Sequence, residues 1–233
     1  MYQKLVPVNV QRHAAIRVKE INRYHFAARS HLVNITIHEF ARVAATYPIV
    51  FIENKEKMFF QPVALLGLNE GENLFVGEHG EWNAPYIPAT VRQYPFKLLP
   101  KSQGNKTEYV VCLDESSDLL STSEGVSLFA ERGEPTRIIE NVKQFLLELQ
   151  QLMAMTEQFV HFLVSHDLLI SMDMHVREGK GIKSIAGCYI ISEKRLNHVA
   201  MDILAEMRDR QYLSAIYAQL FSLMQIENLS AML

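Results

Sequence analysis

The sequence predicts an α+β fold, with an N-terminal region of mixed or antiparallel sheet followed by a long helix, a β-hairpin and two C-terminal helices. Up to about residue 113 the apolar runs are short, rich in Val and Ile, and bounded by Pro, Gly and Asn, which is typical of strands. From Pro135 onward the apolar residues recur with a helical period instead. We expect a single domain over residues 1–233, sheet-rich over about 1–115 and helix-rich over about 134–233.

Short apolar runs supply the predicted strands of the N-terminal region. Two segments between them favour helix, HEFARVAATY (38–47) and PATVRQY (88–94). The polar stretches KSQGNKTE (101–108) and DESSDLLSTSEG (114–125) are expected to be surface loops. The strand-like runs are LVPV (5–8), AAIRV (14–18), LVNITI (32–37), PIVFI (48–52), VALLGL (63–68), NLFV (73–76) and YVVCL (109–113).

One long helix is predicted from about Thr136 to His166. Its main apolar positions follow a 4,3 alternation that only Thr156 interrupts. Because three of every seven positions are apolar, the stripe is broader than a coiled-coil seam, and packing against the chain's own sheet is favoured. A homodimer through Phe145 and Phe159 remains the alternative. The alternating positions are Ile138, Val142, Phe145, Leu149, Leu152, Phe159 and Leu163.

The C-terminal part is expected to hold a hairpin and two helices. LLISMDMHV (168–176) and IAGCYII (185–191) flank the turn-forming EGKG (178–181), which indicates a β-hairpin. The segments Ser192–Arg210 and Gln211–Asn228 then carry apolar residues at helical spacing.

Composition and charge exclude several classes of protein. Hydrophobic content of 48% and charged content of 21% argue against disorder. A net charge of -3 with dispersed Lys and Arg makes nucleic acid an unexpected partner. Because polar residues interrupt the N-terminal segment, we expect no secretory signal, and the best apolar run, Val43–Ile52, is too short to span a membrane. Cys112 and Cys188 lie in apolar contexts without CxxC spacing, so we expect buried thiols in a cytoplasmic protein.

No complete catalytic motif is present, and we expect no cofactor. The chain lacks GxSxG, GxGxxG and a Walker loop. His79 and Glu81 form a His-x-Glu pair that could join a distant third histidine in a non-haem iron site. Because His79 lies between Gly77 and Gly80, a tight exposed turn is the simpler interpretation, and no metal site is predicted.

The segment between residues 82 and 96 is the candidate partner-binding region, because it interleaves aromatics and an arginine with prolines. Aromatic and arginine side chains dominate binding hot spots, since they supply rigid area and a planar set of donors. Core packing is the alternative for Trp82 and Phe96, and an internal ion pair with Glu39 or Asp114 is the alternative for Arg92. The candidate residues are Trp82, Tyr86, Arg92, Tyr94 and Phe96.

A succession of short motifs covers nearly the whole chain in order. They are YPIVF (47–51), PVALLGL (62–68), ENLFV (72–76), W-x-x-PYIPA (82–89), R-x-YPF (92–96), Cys112-x-Asp114, EG-x-x-LF (124–129) and LFSLMQIENL (220–229). This succession resembles the bacterial SapC family, named from a gene of an S-layer protein locus. The sequence departs from the family pattern at two places. A histidine is not typical at position 79, and a His-Leu pair is commoner where this chain has Gln219-Leu220.

The resemblance implies an accessory role linked to the export or modification of surface proteins. It also implies possible partners among the products of neighbouring genes for flavin-dependent halogenases, cupin-like proteins and outer-membrane receptors. We therefore expect a non-enzymatic binding or accessory protein that recognises a peptide or protein. The alternatives are an iron oxygenase using His79 and Glu81, and a structural homo-oligomer subunit.

Overall fold

The computed structural model describes residues 1–54, 59–103, 106–178 and 181–232, and it confirms the α+β class. The strands are β1 (Leu5–Pro7), β2 (Arg17–Val18), β3 (Leu32–Asn34), β4 (Ile49–Asn54), β5 (Phe59–Leu65), β6 (Phe96–Gln103), β7 (Lys106–Asp114), β8 (Leu120–Ser121), β9 (Val126–Ser127), β10 (Leu169–Glu178) and β11 (Gly181–Ile191). The α-helices are α1 (Val10–His13), α2 (Phe40–Ala44), α3 (Ala89–Arg92), α4 (Arg137–Ser165), α5 (Glu193–Leu196), α6 (Met201–Asp209), α7 (Tyr212–Ser222) and α8 (Gln225–Ala231), and 3₁₀ turns lie at His25–Ala27 and Ile37–Glu39.

The largest sheet has the strand order β10-β11-β4-β5-β3, and its neighbouring strands are antiparallel. The predicted C-terminal hairpin, β10 and β11, thereby joins the N-terminal hairpin of β4 and β5 through the pairs Cys188↔Ile52 and Tyr189↔Phe51. Two smaller antiparallel sheets have the orders β1-β7-β6 and β8-β2-β9. Because one sheet combines strands from both ends of the chain, the architecture favours the predicted single domain. Part of the predicted EGKG turn, residues 179–180, lies outside the described residues.

The long helix was predicted correctly, and it packs on two apolar clusters of its own chain. Phe159, Val160, Phe162 and Leu163 in its C-terminal half belong to the main core with β4 and β5. The N-terminal half, around Leu146, covers a smaller cluster with β6 and β7. The apolar stripe of α4 therefore packs against the chain's own sheets. No helix among the described residues combines the length and apolar character needed to cross a membrane.

Thr156, the polar interruption in that stripe, is buried for a specific reason. Its hydroxyl donates to the Leu152 carbonyl at 2.7 Å and accepts from the Ile37 amide at 2.9 Å. The Ile37 amide begins a 3₁₀ turn and has no acceptor within that turn. Thr156 thus satisfies a backbone donor that an apolar residue would leave unpaired in the core.

Two local predictions were wrong. The stretch 101–108 is strand over its described residues, because β6 and β7 stay in register as far as Gln103↔Lys106. A backbone ladder does not require apolar side chains, so the polar sequence concealed it. The run 73–76 is a turn instead of a strand, since the Asn73 side chain accepts from the Phe75 amide at 3.0 Å. The loop predicted at 114–125 is correct apart from the two-residue strand β8.

Each of the two predicted C-terminal helices is divided in two. After α5, the His198 ring lies 2.7 Å from the Lys194 carbonyl, whereas the His198 amide bonds to Arg195. In a continuing α-helix the His198 amide would donate to the Lys194 carbonyl. The His198 ring occupies that carbonyl instead, and the helix ends. After α7, the amides of Leu223 and Met224 bond three residues back, which tightens the chain before α8 begins.

Gln219 and Ser222 on α7 connect the helix to the main sheet. The Gln219 side chain is fully buried; it accepts from the Ile191 amide at 3.1 Å and donates to the Ile49 carbonyl at 3.0 Å. The Ser222 hydroxyl accepts from the Ile49 amide at 2.9 Å. The pairing between β4 and β11 covers only two residue pairs, so backbone groups at Ile49 and Ile191 need other hydrogen-bond partners. Gln219 and Ser222 supply them.

Gln219→Leu should therefore lower the free energy of unfolding by about 2 to 4 kcal/mol, because it leaves one buried backbone donor and one acceptor unpaired. Urea unfolding followed by circular dichroism measures the change. Gln151→Leu, at an exposed position of α4, is the matched control and should change stability by less than about 0.5 kcal/mol. Equal stability of the two variants would show that the Gln219 bonds contribute nothing.

Candidate functional site

The proline-rich segment 82–96 runs from the surface into the core. Trp82 and Tyr86 are half-buried, and Arg92 is exposed at the end of α3. Tyr94 and Phe96 are only 5% and 4% exposed. The structure therefore brings Trp82, Tyr86 and Arg92 to one surface and places Tyr94 and Phe96 beneath it.

The burial of Tyr94 and Phe96 has a clear packing origin. The Tyr94 ring stacks on Phe26 with centroids 4.0 Å apart, and a second ring, Tyr2, lies 5.4 Å away. Phe96 belongs to the smaller apolar cluster under α4. The rings of Tyr94 and Phe96 therefore pack in the core and are not accessible to a partner. The candidate binding residues that remain are Trp82, Tyr86 and Arg92.

A chain of hydrogen bonds holds Trp82 and Tyr86 in place. The Trp82 indole N–H donates to the Tyr47 hydroxyl at 2.9 Å, and that hydroxyl donates to the Tyr86 carbonyl at 2.5 Å. Tyr47 is fully buried, and burial raises the pKa of its phenol, so it remains a neutral donor. The Trp82 ring also meets Tyr24 edge-to-face, with centroids 5.4 Å apart. The only tryptophan of the chain is consequently fixed beside the candidate surface.

Glu39, a buried carboxylate with 6% exposure, anchors the same segment from below. One oxygen accepts from the Tyr86 hydroxyl and the Ala89 amide, each at 2.7 Å. The other oxygen accepts from the amide and the hydroxyl of Thr36, each at 3.0 Å, which completes a capping box. The Glu39 carboxylate thus accepts four hydrogen bonds from neutral donors. These hydrogen bonds join the helical region around α2 to the start of α3.

Tyr86 and Arg92 contact each other at the surface. The Arg92 Nε–H donates to the Ile87 carbonyl at 3.0 Å. The guanidinium carbon lies 5.9 Å from the Tyr86 ring centroid and 5.7 Å from that of Phe145. Burial, and then the Glu39 carboxylate, raise the pKa of Tyr86 to about 12, although Arg92 opposes the shift. Arg92 does not form the predicted alternative ion pair with Glu39 or Asp114; its Nε–H instead donates to the backbone of its own segment.

Sequence reasoning missed two residues of this surface. Arg42 on α2 places its guanidinium carbon 5.9 Å from the same Tyr86 centroid. Tyr24 meets the edge of Trp82 from a segment far away in sequence. Neither residue lies in a motif, so only the tertiary structure reveals them. We call Tyr24, Arg42, Trp82, Tyr86 and Arg92 the recognition surface.

The His79–Glu81 pair lies in the tight exposed turn that the glycines predicted. The Gly80 amide bonds to the Gly77 carbonyl at 2.9 Å, and Gly80 has a φ of +83°, which favours glycine. The Glu81 carboxylate accepts from the His79 backbone amide at 3.1 Å. Among the described residues, no group of three His, Cys, Asp or Glu side chains is arranged to hold a metal ion. The carboxylate therefore has a local role in shaping the turn.

Both cysteines are buried free thiols, as the sequence predicts. Burial raises the pKa of Cys112 and of Cys188. A raised pKa keeps a thiol protonated at neutral pH, whereas a nucleophilic cysteine requires the thiolate. Their environment is that of packing residues.

A second charged cluster surrounds Glu115 and connects the N-terminal segment to the end of β7. Its carboxylate pairs with Lys4 at 3.0 Å and with the Arg12 guanidinium, and His13 Nε2 lies 3.4 Å away. Hydrogen bonding from Arg12, and then from Lys4, lowers the pKa of Glu115 to about 2. The folded protein therefore favours the charged carboxylate.

This cluster predicts a pH-dependent difference in stability between the wild type and Glu115→Gln. Because the folded pKa lies below its ordinary value of 4.5, the contribution of Glu115 is present above about pH 4.5 and disappears as pH falls toward 2. The wild type should melt at the higher temperature near pH 7, and the difference should hold down to about pH 4.5 and shrink below it. Because the cluster is accessible to solvent, salt should also reduce it. A difference that is constant between about pH 7 and 3 would contradict this origin.

The fold and the site define an α+β protein with an aromatic and arginine-containing surface on a rigid framework. The family model for SapC matches residues 8–229, and the chain belongs to the SapC family. No curated protein and no solved structure matches the chain.

Proposed function

We propose that this SapC-family protein is a non-enzymatic binding or accessory protein that recognises a peptide or protein partner through the recognition surface. One observation carries the proposal: Arg92 is exposed, yet its backbone bond to Ile87 and its contacts with the Tyr86 and Phe145 rings hold it in position. Pre-positioned arginine and aromatic side chains lower the entropic cost of binding. The non-enzymatic part rests on the sequence, which contains no complete catalytic motif.

The biological setting of the proposal comes from the family. The S-layer locus that names the family supports a role in the export or modification of surface proteins. The products of neighbouring halogenase, cupin-like and outer-membrane receptor genes are accordingly the first partners to test. We place the protein in the cytoplasm, where its two unpaired cysteines would remain reduced.

Arg92→Lys tests the proposed surface. Lysine keeps the positive charge but loses the planar set of donors, so partner binding should weaken by about 1 to 3 kcal/mol. Stability should fall by no more than about 1 kcal/mol, since the variant loses one exposed hydrogen bond. Binding is measured with the purified candidate partners, and stability is measured by thermal melting.

Arg132→Lys, an exposed arginine in the loop before α4, is the matched control and should bind as the wild type does. Unchanged affinity in Arg92→Lys would remove Arg92 from the binding surface. A large fall in melting temperature with a proportional loss of binding would instead assign Arg92 a structural role.

A further inference from the structure

We propose that the recognition surface binds an acidic peptide segment through its carboxylates, and that Arg42 and Arg92 bind this segment together beside Tyr86. This inference rests on the proposed function and specifies the chemistry of the partner. It gives Arg42, a residue that no sequence motif contains, a direct contact with the acidic groups of the partner.

The first argument is geometric. The guanidinium carbons of Arg42 and Arg92 are each 5.9 Å from the centroid of one ring, that of Tyr86. Their separation therefore cannot exceed twice that distance. Both residues are exposed, and they come from different helices, α2 and α3. A peptide segment with more than one acidic side chain can reach both groups over such a span.

The second argument concerns charge. The nearest buried carboxylate, Glu39, already accepts four hydrogen bonds from neutral groups of Thr36, Tyr86 and Ala89. It does not depend on either arginine as a hydrogen-bond donor. Within the described parts of the chain, neither Arg42 nor Arg92 forms an ion pair. Two exposed positive charges thus lie at the ring of Tyr86, and the buried carboxylate bonded to the Tyr86 hydroxyl forms an ion pair with neither of them.

The third argument is rigidity. The start of α3 is tied to Glu39 through the Ala89 amide, and the Thr90 hydroxyl donates to the Asn34 carbonyl at 2.6 Å. Arg92 therefore extends from an anchored helix end. A guanidinium in a fixed position can make two parallel hydrogen bonds to a carboxylate, and these charge-assisted bonds are stronger than bonds to a neutral carbonyl. Tyr24 and Trp82, which lie together, supply apolar area for a residue next to the acid.

The experiment uses the whole 233-residue chain, fluorescently labelled, on an array of random decapeptides. Wild-type protein should select peptides enriched in Asp and Glu. Arg42→Gln and Arg92→Gln should each lose that enrichment, whereas Arg132→Gln, the matched control outside the recognition surface, should retain it. Thermal melting of every variant confirms that it remains folded.

The best decapeptide and its counterpart with Gln or Asn in place of the acids are then titrated in solution, with Trp82 fluorescence as the readout. The acidic peptide should bind at least about tenfold more tightly, and each arginine substitution should abolish most of that preference. About 1 M salt should also reduce the preference, because it screens exposed charges.

The outcomes separate this inference from the function on which it rests. Peptides that bind without an acidic preference, or with a preference that both arginine variants retain, would overturn the carboxylate site and leave the binding function intact. If no decapeptide binds above background, both the peptide-binding function and the carboxylate site fail.

Discussion

Phe159→Ala should lower the free energy of unfolding by about 3 to 5 kcal/mol and leave the oligomeric state unchanged. Phe159 is fully buried, and its ring meets Phe40 and Tyr212 edge-to-face, with centroids 5.9 and 5.0 Å away. Truncation would open a cavity where α4, α2 and α7 meet. Urea unfolding measures the loss, and light scattering at the same protein concentration measures the mass.

Met155→Ala and Val164→Ala are the matched controls on the same helix, since these side chains are 48% and 46% exposed. Each should change stability by less than about 0.5 kcal/mol. A Phe159→Ala protein that melts as the wild type does but has half its mass would contradict the internal packing. That result would instead favour a homo-oligomer in which the long helix forms the interface between subunits.

Glu39→Gln should cost about 3 kcal/mol of stability, although it changes only one atom of the side chain. Each carboxylate oxygen faces one backbone amide, that of Ala89 or that of Thr36. Hydroxyl donors can rotate, whereas backbone amides cannot. In either orientation the glutamine NH₂ therefore faces a backbone N–H, and that buried donor stays unpaired.

The same substitution should loosen the recognition surface, because Glu39 holds the Tyr86 hydroxyl and the start of α3. Trp82 fluorescence of the native protein should change as well as the unfolding midpoint. Glu157→Gln, an exposed carboxylate in the interior of α4, is the control and should alter neither measurement. An unchanged unfolding midpoint in Glu39→Gln would show that the four hydrogen bonds do not require the charge.

The sequence was most informative where a regular period continued over many residues. The apolar stripe predicted α4 almost to the residue, because burying one face of a 29-residue helix imposes a repeated pattern. The short strands around Leu5, Ile49 and Val63 were also predicted, since they are apolar and bounded by turn residues. The predicted secondary structure was wrong where a side chain hydrogen-bonds to the backbone nearby, as the side chains of Asn73 and His198 do.

The candidate site was predicted only in part. Trp82, Tyr86 and Arg92 stand out in sequence because aromatics, prolines and an arginine share one segment. That composition cannot distinguish a ring that faces solvent from one that stacks on Phe26, as Tyr94 does. Arg42 is a single arginine on a short helix, and no feature of the surrounding sequence indicates that it lies beside Tyr86 in the fold.

The α+β class, the long helix, the buried thiols and membership of the SapC family can all be predicted from the order of the amino acids. Each depends on local periodicity, on the polarity of neighbouring residues or on a succession of motifs. Three features become visible only in the folded chain: Gln219 joins α7 to two strands, Glu39 anchors the proline-rich segment, and two arginines far apart in sequence contact the ring of one tyrosine. Such contacts join residues that are far apart in sequence; the two hydrogen bonds of Gln219, for example, span 28 and 170 positions. Pairings over these separations leave no periodic pattern along the chain.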